Sequence, residues 1–125
     1  MIKAILQHVT LLYCFRHDGR GLPRHGPLPI ILGFIAVTML ALRDLVSHEN
    51  AAQVMVTAAV GILWLHFLRQ RKPEAVAPIS LILIAGDFVA MMITPFDAGG
   101  YAIIGITMWE IAAAVATVAR VFRTP

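Results

Sequence analysis

At 125 residues, with 59% hydrophobic and only 14% charged side chains, the chain has too few polar residues to coat a water-soluble globule of its length. Its net charge of +3 is split into short clusters between apolar runs, the pattern of membrane-protein loops. A nucleic-acid-binding surface would gather that charge on one face, so no nucleic-acid partner is expected. The single cysteine, Cys14, excludes an intrachain disulfide and a thiolate metal site.

The chain opens with "MIKAILQHVTLLYCF". It has a lysine before an apolar run, as a signal peptide does, but no small-residue cleavage site follows. It is also short for a membrane span. Ile2, Ile5, Leu6, Val9, Leu12 and Tyr13 recur at helical spacing, with Lys3, Gln7 and Thr10 opposite. The spacing predicts an amphipathic helix over 1–15, lying in the cytoplasmic interface of the bilayer or docking on a partner subunit through the same stripe. Cys14 in "LLYCF" reads as a small apolar filler. Residues 16–27, rich in Gly, Pro and Arg, read as a cytoplasmic loop.

Four apolar runs follow, at 28–46, 51–69, 76–94 and 99–121. Each approaches the ~20 residues a helix needs to cross ~30 Å of hydrocarbon. Helices are expected because backbone amides find no water to bond in lipid. "SHEN" offers Ser47 and Asn50 as N-caps for the second run, Pro78 fits a first helical turn, and "TPFDAGG" reads as a tight turn. The predicted fold is all-α: a single polytopic membrane domain of four transmembrane helices in two hairpins, preceded by the interfacial helix. Arg16, Arg20 and Arg24 precede the first span. Arg69, Arg71 and Lys72 lie between the second and third, and Arg120 and Arg123 follow the fourth. All fall on one side of an even number of crossings, so both termini are expected in the cytoplasm, in a bacterial inner membrane. Lys3, Arg16, Arg69, Arg71 and Lys72 are the expected interfacial anchors.

Two acids interrupt the hydrocarbon. Asp87 sits within "ISLILIAGDFVAMMIT" and Glu110 within "YAIIGITMWEIAAAVATVA". At ~1.5 Å per residue both lie roughly 16–18 Å from the cytoplasmic side, near the bilayer centre and on neighbouring helices. Ser80, Asp87 and Thr94 recur every seven residues on one side of the third span, and Thr107, Glu110, Ala114 and Thr117 form a stripe on the fourth. Small residues at Gly86, Ala90, Ala112, Ala113 and Ala116 permit close helix approach. A charged Asp at mid-membrane costs a few kcal/mol on insertion scales. A bound proton, a water-filled path or a paired cation would lower that cost, and Arg43 is the nearest cation by depth, four or five residues beyond the acids. Asp87, Glu110, Arg43, Ser80 and Thr107 therefore form the candidate intramembrane polar or ion site. Polar residues also hold membrane helices together without transport, which is the simpler role.

No other chemistry is indicated. The five histidines show no paired ligand spacing, and Ser47 and Ser80 have no triad context, so no enzyme, metal or cofactor is expected. The expected function is a small membrane subunit or assembly scaffold, non-enzymatic, whose partners are the lipid bilayer and copies of itself or other membrane subunits. The alternatives are an oligomeric proton or cation carrier using Asp87 and Glu110, or a holin-like permeabilising protein of similar size and span number. With Cys14 replaced by Ser, a cysteine placed at Arg71 should react with a membrane-impermeant thiol reagent only from the cytoplasmic side, and one at Asp97 only from the other. Labelling of both from one side would contradict the four-span topology.

Overall fold

The computed structural model describes residues 1–14, 22, 25–46, 50–96 and 100–123. Arg16, His17, Arg20, Arg24, Ser47, His48, Glu49 and Asp97 lie outside the described residues. The described residues form five α-helices and no strand: α1 (Ile2–Tyr13), α2 (Pro27–Val46), α3 (Ala51–Arg71), α4 (Val76–Ile93) and α5 (Tyr101–Arg123), with short 3-10 turns at Pro73–Ala75 and Thr94–Phe96 on either side of α4. Among the described residues, four segments are long and apolar enough to cross a membrane: Pro27–Val46, Ala51–Arg71, Pro73–Phe96 and Tyr101–Arg123, of 20, 21, 24 and 23 residues. At ~1.5 Å per residue these run roughly 30–36 Å, the thickness of the hydrocarbon core.

The helix starts follow from local chemistry. Asn50 caps α3, its Oδ1 accepting from the Gln53 N–H at 2.8 Å. Gly100 has φ +72°, a conformation that costs a side chain with a Cβ, and it turns the chain into α5. Pro78 occupies the first turn of α4, where its missing N–H breaks no helical bond.

Packing is organised around α4. It contacts α2 and α5 extensively and α1 and α3 more lightly, while α3 rests mainly on α2. Val76, Ala77, Ile79, Ser80, Leu81 and Ile82 leave the first half of α4 buried on every side. The buried face of α2 is Pro29, Gly33, Ala36 and Val37. A Cβ on Gly33 would lie 3.3 Å from Leu65 of α3, so the glycine sets that close approach. Two apolar clusters complete the core. Leu68, Ala75, Val76, Ile79 and Val121 join the ends of α3, α4 and α5, and Leu12, Leu81, Ile82 and Ala113 join α1 to α4 and α5.

The outer surface is apolar. Met55, Val60, Leu63 and Phe67 of α3 and Ile104, Met108, Ile111 and Val115 of α5 are all exposed. A helix that is hydrophobic all round and packed on one side only is unfavourable in water and suited to lipid. The basic residues at the end of α3 are ordered against neighbours. Arg71 sits 5.6 Å over the Phe67 ring, and Lys72 sits 5.4 Å over Phe122 while its Nζ lies 3.5 Å from Glu74.

The apolar stripe of α1 divides in two. Leu12 is wholly buried, with Val9 and Tyr13 packed beside it, whereas Ile2, Ile5 and Leu6 are exposed. The docked half lies against α4 and α5 at the level of Ile82 and Gly86, about midway along α4.

Candidate functional site

Three helices each send one ionisable side chain to the same interior point. On α2, Arg43 follows Ala36 by seven residues and so continues the buried face. On α4, Asp87 is fully buried, and on α5 Glu110 is 5% exposed. Arg43 Nη1 donates to Asp87 Oδ1 at 2.8 Å and lies 3.5 Å from Glu110 Oε2. Arg43 Nη2 donates to the Thr107 hydroxyl, which in turn donates to the Ile103 carbonyl at 2.8 Å. Thr107 thus uses its oxygen as acceptor and its hydrogen as donor, and it holds one edge of the guanidinium fork while Asp87 holds the other.

The arginine reaches further inward than its position near the end of α2 suggests. Its long stem carries the charge to the level of the acids instead of out to the surface. Only 13% of its side chain is exposed. A guanidinium and a carboxylate taken out of water each cost several kcal/mol, which close contact and hydrogen bonding offset. The balance is uneven: one guanidinium faces two carboxylates. Asp87 Oδ2 has no hydrogen-bond partner among the described residues.

A second layer closes over Glu110 from α1. Tyr13 donates its hydroxyl to the Ile82 carbonyl at 2.6 Å, and Trp109 donates its indole N–H to the Tyr13 carbonyl at 3.1 Å. Gly86 makes this approach possible. A Cβ there would lie 2.7 Å from both the Glu110 carboxyl carbon and the Tyr13 hydroxyl. Burial, followed by the charges of Glu110 and Asp87, pushes the Tyr13 phenol up, so it remains a neutral donor.

The other residues singled out in the sequence lie elsewhere. Ser80 is buried but two turns from Asp87, facing Gly33, and its hydroxyl also has no partner among the described residues. Thr94 donates to the Ala90 carbonyl at 2.7 Å and takes no part in the cluster. Lys3 is exposed on α1, and Arg69, Arg71 and Lys72 stand at the end of α3. Tyr13 and the indole of Trp109 are the contributors that spacing alone did not reveal. The available signal was chemical: each pairs an apolar ring with a polar tip that needs a partner when buried.

Compared with protein-family models, curated proteins and solved structures, the chain matches none.

Removing the guanidinium leaves two buried carboxylates facing each other. Arg43→Gln should therefore cost about 3–5 kcal/mol of stability, the range for breaking one side of a buried ion pair. Thr107→Val should cost about 1 kcal/mol, one hydrogen bond. Denaturant titration in detergent micelles, followed by circular dichroism, measures both. Equal midpoints for Arg43→Gln and the wild-type chain would contradict this account of the cluster.

Proposed function

We propose that the chain is a small, non-enzymatic integral membrane subunit or scaffold, built as two helical hairpins and working within a larger or homo-oligomeric membrane complex. The observation that carries this reading is the Arg43 contact to Asp87 and Thr107. It ties α2 to α4 and α5 from within, so these buried polar groups hold helices together. The outward faces of α3 and α5 are left free of internal duties, with Leu63, Phe67, Met108 and Val115 available to lipid and to neighbouring helices. Association between such faces relies on shape and van der Waals contact, since lipid is as apolar as the side chains.

The basic clusters at the ends of α3 and α5 favour a cytoplasmic location for that end of the bundle, in a bacterial inner membrane, with both termini on the same side. Lys72 and Arg71, with their stems on Phe122 and Phe67, suit anchoring at the headgroup level. The exposed first turns of α1 present Ile2, Ile5 and Leu6 opposite Lys3, a stripe for the bilayer boundary or a partner subunit. A carrier reading is favoured by one observation, the surplus of acid over base in the cluster.

The two readings separate in one pair of measurements. A cysteine at Leu63 should give a discrete crosslinked species in native membranes, while proteoliposomes of the purified chain hold an imposed proton gradient as long as empty ones. Gradient loss that Asp87→Asn abolishes, with no crosslinked species, would overturn the scaffold reading in favour of a carrier.

A further inference from the structure

We propose that the Arg43 cluster is a binding site for one small monovalent cation, a proton or an alkali ion, held jointly by Asp87 and Glu110. The inference concerns the occupancy of the cluster and stands whether or not the chain acts as a scaffold.

Charge counting is the first support. Arg43 brings the single positive charge, from α2. Asp87 from α4 and Glu110 from α5 bring two negative ones. The remaining groups do not restore the balance. Asp44, the next residue on α2, adds to the negative field at Asp87. Tyr13, from α1, is a neutral hydroxyl directed at a backbone carbonyl. On α3, no ionisable residue precedes His66, four turns from the helix start. The cluster is short of one positive charge in a place where an uncompensated charge costs several kcal/mol.

Geometry is the second support. Asp87 is wholly buried, yet its Oδ2 has no donor among the described residues, although buried carboxylate oxygens are nearly always partnered. Glu110 is the loosely held acid, 3.5 Å from Arg43 Nη1 against 2.8 Å for Asp87. A proton on Glu110 would cancel the surplus charge and supply a donor. An alkali ion between the two carboxylates would do the same by direct coordination. Arg43 keeps 13% of its side chain exposed, so the cluster is not wholly sealed. Gly86 and the Tyr13 hydroxyl lie against the Glu110 carboxyl.

Infrared spectroscopy of the full chain in lipid nanodiscs at neutral pH reads the occupant directly, because the acids exposed to water are ionised there and contribute no protonated carboxyl band. If a proton is bound, the wild-type chain shows one such band, which shifts in heavy water. The band is lost in Glu110→Gln and also in Asp87→Asn, since either removes the surplus acid. It persists in Ser80→Ala, which lies outside the cluster, and circular dichroism of each variant guards against misreading an unfolded one. If an alkali ion is bound, the band is absent in sodium buffer and appears when sodium is replaced by a bulky organic cation. Two outcomes overturn the proposal: no protonated carboxyl in either buffer, or a band that either of the two acid substitutions leaves in place.

Discussion

An arginine inside an apolar bundle has to be matched, and the way Arg43 is matched decides how the other helices sit. Its guanidinium has five donors in a fixed plane, so a single carboxylate cannot satisfy it. Asp87 takes one edge from α4 and Thr107 another from α5, with Glu110 adjacent. Three helices are thereby fixed in azimuth and in height at one point. The apolar contacts around them are less particular, because leucine and valine tolerate sliding that a hydrogen-bonded ion pair does not.

The asymmetry of the fold follows from that point. The helix with the most partners, α4, carries the fully buried acid and is covered on all sides in its first half. At Gly86 the absence of a side chain lets Glu110 and the Tyr13 hydroxyl come down onto the α4 backbone. This draws the end of α1 against α4 and α5 through Leu12 and two hydrogen bonds from or to Tyr13. In contrast, α3 makes no charged contact with the cluster and touches chiefly α2. It is the helix with most of its surface available, and its apolar residues face outward on nearly every side.

Much of this was legible in the residues. Apolar runs of span length and the Asn50 cap locate the long helices to within a few positions, because hydrophobicity and capping are local properties. The acids announced themselves as costs that needed an explanation, and the stripe through Thr107 and Glu110 identified the inward face of α5. Arg43 was harder to place. Counted along the membrane normal it lay beyond the acids, but the seven-residue step from Ala36 sets it on the buried face, and its stem covers the difference in height. Ser80 shows the converse: sharing a stripe with Asp87 does not bring it to the cluster, since two turns of helix separate them. The docking of α1 depended on contacts between distant parts of the chain, Tyr13 with Ile82 and Trp109, which helical spacing within 1–15 does not encode.

Arg43 and Asp87 meet across the α2–α4 contact as one hydrogen-bonded ion pair. A double-mutant cycle tests it: the unfolding free energies of Arg43→Gln, Asp87→Asn and the double variant, measured in the same micelle. A coupling of about 1–3 kcal/mol is expected, with the double variant less destabilised than the two single losses added together. Strict additivity would show that the two side chains do not work together, and the helices would have to be held by apolar packing alone.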